Sequence, residues 1–219
     1  MSSLFSLWGQ YVGPFAQGLL VTLKITGLGL AVGIGLGAIL AAFRLSKFRL
    51  LRLVGALYVD IMRAIPVLVL LFMAYYGLGQ VGIRLPGVLA ATAALGGFYA
   101  SLYCEIFRGG VTGVPRGQWE AAQALGMGPW LRLRKVVLPQ AFLAILLPST
   151  NQASNILKDS SLVVTIGAAD LTSQAYQASA DTFKPMDMFI LAGLFYFGLY
   201  LIISRALGRW ELHVQRTRG

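Results

Sequence analysis

The chain has 219 residues, 57% of them hydrophobic and 12% charged, with a mean hydropathy of +0.73. A soluble domain of this size carries about a quarter charged residues, so lipid is the expected main solvent. The net charge of +10 does not point to nucleic acid, because the basic residues stand in short blocks between apolar runs, as in loops at a membrane surface.

One cysteine, Cys104, excludes an internal disulfide and any cysteine-built metal cluster, and the one histidine, His213, gives no support to a histidine-ligated metal. The start, Met1 to Gln10, lacks a basic leader, so no cleavable signal peptide is expected.

Spanning about 30 Å of hydrocarbon takes roughly 20 apolar residues in a helix. In chain order, the stretches that approach this are Ile25–Phe43, Ala64–Ile83, Leu85–Cys104, Val136–Leu157 and Met188–Ser204. The polar lead-in Gln17–Lys24 extends the first of them outward, and Gly27, Gly29, Gly33, Gly35 and Gly37 allow close helix approach. The composition predicts an all-α, polytopic membrane protein of about five spans, forming one domain over residues 1–219.

Basic residues set the expected orientation. Arg44, Lys47, Arg49 and Arg52 follow the first span, Arg108, Arg116, Arg132, Arg134 and Lys135 follow the third, and Arg205, Arg209, Arg216 and Arg218 follow the fifth. The opposite loops carry mainly Arg84 and Lys184. This bias puts the N-terminus outside and the C-terminus in the cytoplasm.

Residues 108–135 then form a cytoplasmic loop, and residues 158–185 an external gate and loop. Within the latter, Ser160–Ala169 is too short to span and reads as a re-entrant or gate-like element. Asp170–Lys184, rich in Ser, Thr and Gln, reads as a small external helix and loop.

The cytoplasmic stretch Gly117–Ala141, GQWEAAQALGMGPWLRLRKVVLPQA, reads as two short helical pieces broken at Gly126, Met127 and Gly128. Trp119, Ala122 and Leu125 recur at helical spacing and give the first piece an apolar face. Pro139 is expected in the first turn of the fourth span, where its missing N–H costs little.

Glu120, Ala121 and Ala122, then Gly126, then Val136, Leu138 and Pro139 match the EAA signature. The stretch therefore resembles that of permeases of binding-protein-dependent ABC importers. The resemblance extends to the polar amino acid permeases through YVDIMRAIPVLVLLF (Tyr58–Phe72), YASLYCEIFRGG (Tyr99–Gly110) and PSTNQASNILKDSSL (Pro148–Leu162).

The likeness implies the type I importer permease fold, with a coupling-helix loop that docks on an ATPase subunit through Gly117, Glu120, Ala121, Ala122, Gly126, Met127 and Gly128. It implies two ATPase subunits, a second identical or homologous permease subunit, an external solute-binding protein and an amino-acid substrate, in a bacterial inner membrane. The chain carries no Gly-x-x-x-x-Gly-Lys-Ser/Thr motif, so ATP and magnesium belong on the partner ATPase and this chain is expected to bind no cofactor and catalyse no reaction.

Glu105 and Arg108 lie three apart near the end of the third span, and Asp60 and Arg63 repeat the spacing at the start of the second. Glu105 and Arg108 are either an intrahelical ion pair or an anchor for the coupling loop, and Asp60 and Arg63 carry the same two readings. Pro66, Leu70, Asn151, Gln152, Asn155, Lys158, Asp159, Ser160 and Ser161 are the candidate substrate-pathway residues.

A zwitterion needs donors for its carboxylate, which Lys158, Ser160 and Ser161 offer, and acceptors for its ammonium, which Asp159 and Asn155 offer. Equally, Lys158 and Asp159 can pair with each other or with a partner subunit and only shape a gate. Ala64 and Ile65 replace the usual Gly-Thr of the family, Leu70 stands where Gln is common, and Gln152 stands where some cationic amino acid importers carry an acid. Those departures favour a neutral or acidic substrate.

A membrane-embedded enzyme would need a nucleophile or metal cluster at membrane depth, which these residue types do not supply. An ion-coupled carrier or channel would have no use for the coupling loop.

Overall fold

The computed structural model describes the backbone of residues 2–218 and the side chains of residues 8–209; His213, Arg216 and Arg218 lie outside the described side chains. The described residues form helices joined by short turns. They are α1 (Ser2–Leu45), α2 (Arg49–Ala64), α3 (Val67–Gln80), α4 (Gly87–Thr112), α5 (Arg116–Ala124), α6 (129–159), α7 (Leu171–Thr182) and α8 (Pro185–Arg218). Among the described residues, α1, α4 and α8 are long and apolar enough to cross a membrane, and α2 with α3 makes a fourth if the bent pair is one span. The remaining expected span, within α6, has the length but is too polar to qualify by composition.

α1 and α4 form the seam of the molecule. Gly29, Gly33 and Gly37 recur every four residues, so they fall on one face of α1. A methyl group added to Gly37 would lie 2.6 Å from Tyr103 Cβ and 3.0 Å from the Ala100 carbonyl, while Gly27 and Gly35, on the other faces, have nothing within 4 Å. The backbones thus approach as small-residue faces permit, and dispersion contacts take the place of a hydrophobic drive that lipid cannot supply. Ile25, Leu95, Tyr99, Tyr103 and Ile156 fill the core around this seam.

The second expected span differs from its prediction. The helix over Arg49–Ala64 ends at Ile65, whose ψ of 128° is extended as a residue before proline prefers. The chain turns by 103° before α3. Asp60 and Arg63 therefore lie in the last turns of α2, before the break.

The third span runs on to Thr112, which places Glu105 and Arg108 inside the helix and narrows the connecting loop to residues 113–128.

Pro139 stands in the first turn of the α-helical part of α6, as expected, but that part continues a longer helix. α6 is already running from Pro129, and a π turn over Leu133–Val137, with Leu138 N–H bonded to the Leu133 carbonyl, precedes the proline. Widening the helix there accommodates a ring that an α-helical interior would exclude.

After α6, Ser160–Ile166 forms a 3-10 turn ended by Gly167 in the left-handed region (φ +72°). The expected small helix follows as α7. It is capped by Asp170, whose carboxylate accepts from the backbone N–H groups of Thr172 and Ser173.

Candidate functional site: polar helix face and coupling turn

The connecting loop folds onto the ends of α4 and α6. Val111, Val114, Val137 and Ala141 make a small buried core, against which Trp119 and Leu133 pack. Ala122 joins the buried side, as its spacing with Trp119 predicts, but Leu125 lies past the helix end and is 77% exposed.

Helix α5 ends in a Schellman motif. Gly126 adopts φ +75°, its N–H bonds to the Gln123 carbonyl and the Met127 N–H bonds to the Ala122 carbonyl. The signature glycine is thus needed for its left-handed backbone and not for space, since nothing lies within 4 Å of an added Cβ.

Arg132 donates to the Gln123 side chain at 2.8 Å, and Gln140 to that of Gln118 at 3.2 Å, which ties α5 to α6. Gly117, Glu120, Ala121 and Gly128 face outward. Glu120 pairs with Arg116 at 3.0 Å in full view of solvent, a contact worth little in stability.

The two charged pairs behave differently. Glu105 binds Arg108 at 2.7 Å along α4 and Arg44 of α1 at 3.3 Å, and the charge of Arg63 on α2 also acts on it. One carboxylate therefore gathers arginines from three helices. Asp60 and Arg63 form no ion pair with each other; both are exposed on α2.

The polar end of α6 divides by face. Asn151, Asn155 and Lys158 are exposed along one stripe at helical spacing, and Gln152 is half-buried beside them, accepting from the Asn155 amide at 3.4 Å. Pro148, exposed on the same face, cannot donate to the Ala144 carbonyl, which loses its helical partner.

Lys158 and Asp159 do not pair with each other. Asp159 accepts a hydrogen bond from Tyr99 Oη of α4 at 2.8 Å, and Lys158 Nζ lies 5.1 Å from the centre of the Tyr200 ring of α8. A cavity of about 350 Å³ opens beside them, lined by Leu157, Lys158, Ser161, Tyr196, Phe197 and Tyr200.

Two of the expected pathway residues fall elsewhere. Leu70 is buried in the core under α4, where an apolar side chain is the stable choice, and Ser160 is fully buried, its hydroxyl donating to the Leu157 carbonyl. Ser161 is half-buried and donates to the Lys158 carbonyl, and Pro66 is exposed at the break between α2 and α3.

Sequence reasoning gave no site role to Tyr99 or Tyr200, and none to Arg44 beyond orientation in the membrane. Tyr99 lay within a quoted motif, but a tyrosine in an apolar run carries no sign of its partner 60 residues away.

Such a bundle, with helices long and apolar enough to cross a membrane, one apolar seam and one polar outward face, is that of a membrane protein. The chain belongs to the family of binding-protein-dependent transport system inner membrane components, whose profile matches residues 33–213. It is similar to the probable glutamine ABC transporter permease protein GlnM of Bacillus subtilis (strain 168), at 32% identity over 99% of both chains. It is also similar to the arginine transport system permease protein ArtQ of the same organism, at 35% identity over 87% of this chain and 88% of the relative. Among solved structures, the crystal structure of an amino acid ABC transporter with histidines superposes with a TM-score of 0.88 at 35% identity, covering 93% of this chain and 95% of that one. The methionine transporter MetNI, inward facing, gives 0.71 at 26%, over 93% and 95%.

Proposed function

We propose that this chain is the permease subunit of an ATP-binding-cassette importer that moves a polar amino acid, neutral or acidic, into the cytoplasm. It works as gate and transmission element and hydrolyses nothing itself. Two separate ATPase subunits carry ATP and magnesium, a second permease subunit completes the pathway, and an external binding protein delivers the solute. The N-terminus lies outside and the C-terminus inside.

The supporting observation is the exposed polar stripe Asn151, Asn155 and Lys158 on a helix that packs against α4 and α8. A polar group facing hydrocarbon without a partner costs several kcal/mol, so such a face belongs against water or another subunit. Asp159, held by one bond from Tyr99, keeps acceptor capacity for an ammonium, and Lys158 offers a cation for a carboxylate. The outward-turned coupling turn at Gly126 supports contact with an ATPase, and relatives named for glutamine and arginine transport support an amino acid.

The reading is tested by uptake into proteoliposomes holding the purified complex. ATP-dependent accumulation is expected, and Gln152→Glu should shift competition toward arginine and lysine. Uptake that needs no ATPase and follows an ion gradient would instead establish a secondary carrier.

A further inference from the structure

The cavity between α6 and α8 is lined by one cation, Lys158, and by no acid. Leu157 and Phe197 give it apolar walls, and Tyr196 and Tyr200 add aromatic rings. The Tyr196 hydroxyl is already engaged, 2.9 Å from that of Thr172 and 3.4 Å from the Asp170 carboxylate. A volume of about 350 Å³ suits one small solute. Lys158 belongs both to this cavity and to the exposed polar stripe of α6, so the two open on the same side of the helix.

Nothing on this chain neutralises Lys158. Among the described residues it forms no ion pair. Consecutive helix positions are turned by about 100°, and Asp159, the next residue, accepts from Tyr99 Oη on α4 instead. Asp170 is fully buried and caps α7. The Lys158 ammonium rests over the Tyr200 ring, 5.1 Å from its centre. Such a contact is weak beside a charge-assisted hydrogen bond, so a carboxylate entering the cavity can draw the ammonium to itself.

We propose, on the importer reading above, that this cavity takes the substrate's α-carboxylate at Lys158 and its side chain against Phe197 and Tyr200, and that these walls select a neutral amino acid over an acidic or a cationic one. The α-carboxylate uses the one cation. A second carboxylate would lose water to apolar walls and find no positive partner. A cationic side chain would meet Lys158 with no acid to receive it, and an unpaired charge of this kind is how a site rejects a competitor.

The substrate's own ammonium has two places to go. Ser161 donates its hydroxyl proton to the Lys158 carbonyl at 2.7 Å, which leaves its oxygen free to accept. The aromatic faces attract an ammonium as Tyr200 attracts that of Lys158. Phe197 is 59% exposed, so it has surface to bury against the carbon body of a neutral side chain.

The test measures equilibrium binding of radiolabelled glutamine, phenylalanine, glutamate and arginine to the full chain with the subunits it co-purifies with. ATP and the binding protein are left out, so only the membrane-embedded site is read. Glutamine and glutamate share a shape and differ in charge. Glutamine and phenylalanine are expected to bind, and glutamate and arginine to bind about tenfold more weakly or worse.

Phe197→Arg supplies a second cation at an exposed position and should raise glutamate to the level of glutamine. Tyr200→Leu should weaken glutamine about fivefold, while Tyr200→Phe, which keeps the ring, stays near the parent. Melting temperatures close to the parent's confirm that each variant is folded.

Glutamate or arginine binding as tightly as glutamine overturns the proposal, as does a Phe197→Arg variant whose glutamate affinity is unchanged. Binding of none of the four while ATP-driven uptake persists overturns this site and leaves the importer reading standing. Uptake that follows an ion gradient overturns that reading by itself, whatever the binding order.

Discussion

The α1–α4 seam and the outer face of α6 are both built from residues that break the plain leucine pattern of a membrane helix, and they use them in opposite ways. In the seam, glycine removes side chains so that two backbones touch, and 61% of the apolar window of α4 is buried within this chain. On α6, Asn151, Asn155 and Lys158 add polar side chains that point away from the chain's own core. The first region is finished within one subunit. The second is complete only with something outside it, and α8, with 17% of its window buried, shares that open side.

The largest expected break of this contrast is Gly37→Leu. Its side chain would have to displace Tyr103 and the Ala100 carbonyl, so a loss of about 3 kcal/mol or failure to assemble is expected. Thermal unfolding in detergent measures it, with Gly35→Leu, which meets open space, expected near the parent.

Asn155→Leu sharpens the other half. An exposed polar residue made apolar should leave the melting temperature within a few degrees, while ATP-driven uptake falls about tenfold or more. If uptake is unchanged and stability rises, the stripe faces lipid and the contrast fails.

The smallest effect is expected at Gly126→Ala. The left-handed backbone there costs an alanine about 1 kcal/mol, read as a several-fold fall in solute moved per ATP, with Gly126→Asn between the two.

Much of the architecture was legible in the sequence because lipid constrains composition so strongly. The apolar runs marked α1, α4 and α8, and the glycine break marked the turn after α5, whose left-handed residue only glycine adopts freely. What was not legible depended on partners distant in sequence. Nothing local to Lys158 and Asp159 says that Tyr200 and Tyr99 would separate them.

Leu70 was assigned to the pathway from a position in a motif, yet which face of a short helix turns inward is decided by packing under α4. The break at Pro66 was visible as a proline, but its angle of 103° was not.

The π turn over Leu133–Val137 has a consequence for how the two ends of α6 are oriented. One continuous helix, rising about 1.5 Å per residue, runs from just after the Gly126 turn to the polar stripe, so a displacement at one end would reach the other as a rotation or tilt of a single rod. A π turn holds one residue more than an α turn, and each residue advances an α-helix by about 100°. That extra residue acts as a phase setting: it fixes the compass direction in which Asn151 and Asn155 face for a given seating of the loop.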